Sequence, residues 1–236
     1  DLNLRLSYAK TGRNPWLYRS FAGETDAEIK HELIGSFDAG IDFGFLDGRI
    51  SGSLDYYSRT GEKLFMKVPV PSGTNLSSYI IINYGKISNK GIEAIINARM
   101  FSSRNWLWEI GCNASYNRNR IVSFESENGV IPQDDLKFLS GVILGGVGNT
   151  IQVQHVGDPA GSFFVYRQVY GNDGKPLEGV YVDNDQNGQI NVDDRRPFGK
   201  YRPDVVIGLD STLKYKNWNF SFSGRTNLGN YVYNNV

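Results

Sequence analysis

Cysteine is almost missing from this chain, and so are histidine and methionine: one Cys, two His and two Met in 236 residues. A lone Cys112 closes no internal disulfide, and its place between Gly111 and Asn113 in an alternating stretch suits a small apolar packing residue. His31 and His155 are far apart and carry no ligand spacing, and no paired carboxylates or Ser/His/Asp set stand in identifiable context. The chain therefore does not read as an enzyme, and a hydrolase hidden in its loops ranks last among the readings. Nowhere do about 18 apolar residues run together, which excludes a transmembrane helix. The start, Asp1-Leu2-Asn3-Leu4, has neither the basic nor the apolar region of a signal peptide. Lys+Arg and Asp+Glu both number 25, with no cationic stripe to follow a phosphate backbone, so nucleic acid is not an expected partner. The run Gly141 to Gly148 lacks the Lys-Ser/Thr of a phosphate loop and reads as flexible connection.

What the chain does have is glycine and aromatics: Gly 27, Tyr 14, Phe 13 and Trp 4. These favour β-structure with many turns. Seven segments, about 2–9, 37–46, 49–58, 91–101, 106–116, 204–215 and 218–228, alternate apolar and polar residues with period two. Phe37, Ala39, Ile41, Phe43 and Phe45 share one face, and Asp38, Gly40, Asp42 and Gly44 the other. Connections alternate between tight (Asp47-Gly48, Ser102 to Asn105, Lys216-Asn217) and long (about 10–36, 59–90 and 117–203). In an up-and-down meander this puts every tight turn on one edge and every long loop on the other. The predicted fold is all-β: antiparallel up-and-down strands forming part of a large transmembrane β-barrel with long extracellular loops.

Ring placement agrees with that reading, since lipid-facing strands carry aromatics at both interfaces. Trp106, Trp108, Tyr215, Trp218 and Phe45 lie near the tight turns, and Tyr8, Tyr56 and Tyr116 lie on the same faces at the loop ends. The lumen face would carry Asp38, Asp42, Asp55, Glu93, Arg99 and Arg225. The alternative is a secreted soluble β-module binding calcium and carbohydrate, which requires the apolar faces to pack together in one closed core.

Several strings resemble the SusC/RagA family of TonB-linked outer-membrane proteins from Bacteroidetes. The run Ile41 to Tyr57, IDFGFLDGRISGSLDYY, looks like a barrel hairpin of that family. Val68 to Asn75, Asn89 to Glu93, Asn113 to Asn119, Tyr215 to Phe222 and Asn227 to Asn234 resemble its further segments, in order along nearly the whole chain. The resemblance implies a plugged barrel in the outer membrane, bathed in lipid and energised through a TonB-type protein. It also implies a SusD-like surface lipoprotein as cap, and oligosaccharides or peptides as cargo. Such transporters close with about 22 strands, so residues 1–236 are expected to be an internal stretch of barrel, without plug or final strand.

The sharpest local motif is Asp183 to Asp194, DNDQNGQINVDD, which follows a calcium loop at its first, third, fifth and sixth places. Asp183, Asp185 and Asn187 would offer side-chain oxygens, Gln189 its carbonyl, Asn191 a water-bridged contact and Asp194 the last ligand. Asp in place of the usual Glu at that last position shortens the reach. No cofactor is required by this reading, and a structural calcium ion is the one addition it allows; a metal-free Asx-rich turn is the other account. Tyr79, Tyr84, Tyr166, Tyr170 and Tyr181 fall in long connections, where rings stack on sugars or simply pack. Pro69 and Pro71 suit a stiff loop wall or ordinary loop chemistry.

Overall fold

The computed structural model describes residues 1–14, 29–69, 73, 79–124, 138–143 and 150–234. The chain opens with β1 (Leu2–Arg13), β2 (Glu32–Phe45) and β3 (Ile50–Glu62), followed by the short β4 (Phe65–Pro69) and β5 (Tyr79–Asn83). Two long strands come next, β6 (Lys86–Ser102) and β7 (Trp106–Ser123). The connection beyond them holds β8 (Phe138–Val142), β9 (Thr150–Gln154), β10 (Ser162–Val165), β11 (Gln168–Tyr170), β12 (Pro176–Tyr181) and β13 (Arg196–Lys200). The chain then returns through β14 (Val205–Tyr215) and β15 (Trp218–Leu228). Seven strands form one antiparallel sheet in the order β1-β2-β3-β6-β7-β14-β15, the meander expected from the alternation.

The strand bounds differ from the sequence reading in two respects. The first tight turn takes four residues rather than two: Phe45 and Ile50 are the last pair, and Leu46, Asp47 and Gly48 all have positive φ. Arg49 secures it, since its N–H donates to the Leu46 carbonyl, its own carbonyl accepts from the Arg99 N–H at 2.7 Å, and its guanidinium donates to the Met100 carbonyl at 3.0 Å. The second difference is length. β1, β2, β3, β6 and β7 run on at the loop edge to Arg13, Glu32, Glu62, Lys86 and Ser123, past the alternation that marked 2–9, 37–46, 49–58, 91–101 and 106–116. An apolar face of about ten tilted residues spans the bilayer, so residues 117–123 carry the ladder roughly 15–20 Å further. Beyond the lipid both faces meet water, so the period-two signal stops while the backbone pairing continues.

The apolar side chains line up across strands. Leu4, Ile41, Leu54, Ala94, Ala114 and Ile207 form one row in register, and Leu6, Ala39, Tyr56, Ile92, Tyr116 and Val205 the next toward the loops. On the central strands Leu54, Ile92, Ile96 and Leu209 remain between 45% and 49% exposed, so none of the described residues covers this face. A closed sandwich core is therefore absent among the described residues, and the soluble-module alternative loses its structural requirement. At the tight-turn edge Trp106 and Tyr215 meet at 4.2 Å with their rings tilted by 34°, and Trp218 lies parallel to Phe220 at 6.1 Å, giving the sheet an aromatic border. The buried cluster that does exist, Ile82, Tyr84, Ile121 and Phe124 with Met66, Ile80, Phe138 and Ala160, sits under the long connections.

Candidate functional site

The face opposite the apolar rows is polar and cross-linked by charge. Arg5 of β1 holds Asp42 with two donors, Nε at 2.7 Å and Nη2 at 2.8 Å, and its Nη2 also reaches Asp55 of β3 at 2.7 Å. It reaches that far because the residue between them in register is Gly40, and a Cβ there would occupy the place of the Asp55 carboxylate. Arg59 pairs with Asp38 at 3.6 Å and Arg99 with Glu109 at 3.3 Å. Gly111 leaves room in the same way for the Asp210 carboxylate of the neighbouring strand. Four of the expected lumen residues, Asp38, Asp42, Asp55 and Arg99, are thus placed in a cross-strand ion ladder. Glu93 and Arg225 share the same face by register. A face of this kind suits water and a hydrophilic solute, and is unsuited to lipid.

Above the wall the long connections fold onto themselves. β13, β10, β9 and β8 make a four-stranded sheet, while β11 with β12 and β4 with β5 make two hairpins. None of these strands was legible as a separate element, because they are short and lack a sustained two-faced pattern. The small sheet is tied to the wall where Ile121 N–H donates to the Asp158 carbonyl and Gly157 N–H to the Ile121 carbonyl. The run beginning at Gly141 proves to be strand at its start, with Gly141 in β8 at φ +70; Gly145, Gly146 and Gly148 lie outside the described residues. Pro69 ends β4, and Pro71 also lies outside them.

The acidic loop joins β12 to β13. Carboxylate oxygens of Asp183, Asp185 and Asp194 lie within 4.8 Å of one another. Asp194 is fully buried in the turn of a short 3-10 helix (Val192–Asp194), where its Oδ1 accepts from Asn184 N–H at 2.7 Å and its Oδ2 from Asn191 N–H at 2.8 Å. The Asn191 N–H, with those of Asn184 and Asp185, holds the Asp194 carboxyl below the usual carboxylate range. Asp185 moves the other way: burial raises it, and the neighbouring Asp183 and Asp194 carboxylates push in the same direction. Asp183 Oδ2 accepts from Gly188 N–H at 2.7 Å, whereas its Oδ1 is buried without a hydrogen-bond partner. Of the remaining candidates, Asn187 Oδ1 accepts from Gln189 N–H and Asn191 Oδ1 from Asp193 N–H, both at 2.8 Å.

The tyrosines part company. Tyr84 is 1% exposed and packs against Phe124 and Phe138, so it is a core residue and not a sugar platform. Tyr166 and Tyr181 lean on each other at 5.5 Å, with the Arg195 guanidinium over Tyr166. Tyr170 stays 63% exposed. Tyr79 opens β5.

A water-facing ladder on one side, an uncovered apolar face on the other and loops gathered on one edge are the parts of a membrane barrel wall. The family described as "TonB dependent receptor-like, beta-barrel" matches residues 1–235. The chain belongs to the TonB-dependent receptor β-barrel family. This receptor barrel is 38% identical over 206 residues to the TonB-dependent receptor SusC of Bacteroides thetaiotaomicron, covering 87% of this chain and 20% of that protein. It is 30% identical to TonB-dependent receptor P3 of Formosa agariphila, covering 87% of this chain and 21% of that one. Among solved structures, the RagAB peptide importer in its closed-closed state superposes with a TM-score of 0.73 at 19% identity, over 98% of this chain and 27% of the other. The receptor barrel therefore spans about a fifth of the length of these curated relatives. Its place is the outer membrane, and the SusC/RagA likeness read from the strings stands.

Proposed function

We propose that this chain supplies wall and surface loops to a TonB-energised importer that carries oligosaccharides or peptides across the outer membrane, without chemistry of its own. The observation that carries the reading is the two-sided sheet: an ion-paired inward ladder centred on Arg5 and an outward apolar face that none of the described residues covers. In this reading β1 and β15 pair with further strands of a closed barrel, since each has an edge with no partner among the described residues. A SusD-like surface lipoprotein sits over the loop edge, and a TonB-type protein acts from the other side. The test uses the full-length receptor in cells supplied with labelled oligosaccharides or peptides as sole carbon source. Shortening the β8–β13 connection should abolish uptake of the cargo while leaving barrel heat-modifiability intact; unchanged uptake of every cargo would remove these loops from the transport path.

We further propose that the acidic loop holds a calcium ion as a structural staple. Asp183, Asp185 and Asp194 supply the charge, and the buried, unpartnered Asp183 Oδ1 is what favours a cation over a self-sufficient turn. Asn187, Gln189 and Asn191 complete the oxygen set. Calcium titration of the full-length receptor should slow proteolysis within residues 183–194, and Asp183→Asn should remove that response. Equal cleavage with calcium and with chelator rules the ion out.

A further inference from the structure

The outward face of β6 and β7 changes character abruptly at the loop end of its apolar rows. Ile92 and Tyr116 face each other in register, and the next outward pair, two residues on, is Lys90 opposite Arg118. The pair after that is Ser88 opposite Arg120. Lys90, Arg118 and Arg120 are all exposed. Like charges directly opposite on neighbouring strands repel. Among the described residues neither Lys90 nor Arg118 makes an ion pair, and the acids nearby are engaged elsewhere: Glu62 with Lys86, Asp158 with His155 and Asp204 with Lys200. Arg120 is held by the Gly157 carbonyl, which accepts from its Nε at 2.7 Å, and its side chain stays exposed. Together they line an open notch of about 430 Å³ whose other walls include Val122 and Val156, which are 42% and 40% exposed.

We propose that this notch binds the phosphorylated headgroup of an outer-leaflet glycolipid of the lipid A type. Depth, charge and shape each select that occupant. The step from Tyr116 to Arg118 is roughly 7 Å along the strand, which lifts the cations from the interfacial ring row to the level of headgroup phosphates. Three positive charges without an ion pair among the described residues match a phosphomonoester, which a guanidinium can grip with two donors. Ser88 adds a hydroxyl, and the acyl chains run back from the cations onto the apolar row of Ile92 and Tyr116. A cargo solute is not the occupant, because these side chains have the parity of the lipid-facing rows and not of the Arg5 ladder. The inference rests on that assignment of faces and is independent of which cargo is imported.

The test is native mass spectrometry of the full-length receptor in detergent, titrated with bisphosphorylated lipid A, with its dephosphorylated form and with inorganic phosphate as competitor. Each basic residue near the headgroups should contribute about fivefold in affinity, so Lys90→Gln/Arg118→Gln/Arg120→Gln should weaken phosphorylated lipid A on the order of a hundredfold. Arg118→Lys should retain most of the binding, and Lys175→Gln on the distant β11–β12 hairpin should leave it unchanged. In lipid-free detergent Lys90→Gln/Arg118→Gln, which keeps the Arg120–Gly157 bond, should unfold no earlier than wild type, since it relieves a like-charge pair. Equal retention by the triple variant overturns the proposal. So does equal retention of dephosphorylated lipid, which would mean apolar contact only, or full displacement by phosphate at matching concentration, which would mean a site for the free anion.

Discussion

Gly44 and Gly52 stand on neighbouring strands of the same hairpin, yet their surroundings are opposite. A Cβ added at Gly44 meets nothing within 4 Å, whereas one added at Gly52 runs into the Ile95 main-chain oxygen and comes within 2.6 Å of the Phe43 ring. Gly52 is the central member of the register line Phe43–Gly52–Ile96, so the obstruction includes backbone of the next strand and not just a movable side chain. Both substitutions to alanine carry the same gain of roughly 0.5–1 kcal/mol from reduced freedom of the unfolded chain. That shared part cancels between them, and what remains is the overpacking at position 52, about 1–3 kcal/mol. Gly52→Ala should therefore be less stable than Gly44→Ala by a factor of about 5 to 150 in the unfolding equilibrium. The assay is urea unfolding of the full-length receptor in detergent, followed by heat-modifiable gel mobility and tryptophan emission. If Gly52→Ala proves as stable as Gly44→Ala, the close approach of β3 to β6 is wrong, and with it the register of the wall.

Other outcomes follow from single contacts. Tyr84→Phe should raise stability by about 1 kcal/mol, because the Tyr84 hydroxyl is buried without a partner; thermal unfolding of the full receptor checks it. A double-mutant cycle between Arg5 and Asp55 in denaturant unfolding should give the weak coupling of a solvent-screened pair, the two side chains being 48% and 30% exposed, and a coupling as strong as that of a buried pair would contradict that exposure. The acidic loop should respond to pH in two stages when no calcium is present. Asp185, raised by burial, is protonated first as pH falls, which relieves crowding of the carboxylates and should slow hydrogen exchange at Gly188, whose N–H is held by Asp183. Asp194, held low, contributes its stabilisation above the ordinary carboxylate value and loses it as pH falls through its folded value, so exchange at Asn184 and Asn191 should then rise. Exchange that rises steadily from neutral pH would contradict this order.

The wall was legible because bilayer and lumen impose opposite demands on successive residues, and that demand writes a period of two into the sequence. Phe37 to Phe45 and Trp106 to Tyr116 carry it plainly. The loop architecture was not, since β8, β9 and β10 are short: the alternation about Val153 lasts only from Thr150 to Gln154, and Phe164 is buried in an apolar run that has none. Tyr84 illustrates the same gap: its place between two hairpin strands and β6 looked like an exposed loop, and only the stacking on Phe124 makes it core. The acidic motif marked its own turn and brought Asp183, Asp185 and Asp194 together, because Asx side chains and Gly188 fix that geometry locally. The notch at Lys90 and Arg118 escaped notice since each residue alone resembles ordinary surface charge; the cross-strand register is what juxtaposes them.

The alternation of tight turns and long connections also governs how freely the two halves of the molecule can diverge. Each tight turn joins a hairpin that zips from neighbouring residues, so β2–β3, β6–β7 and β14–β15 need no distant segment to find their register. The long connections merely join finished hairpins, and the entropy of closing a loop grows with the logarithm of its length. The connection 124–204 is roughly three and a half times as long as 63–85, yet the added closure penalty is only about 1 kcal/mol. The surface of such a barrel is therefore open to insertion and exchange at nearly constant wall stability, whereas a one-residue change within a hairpin would turn its lipid face toward water.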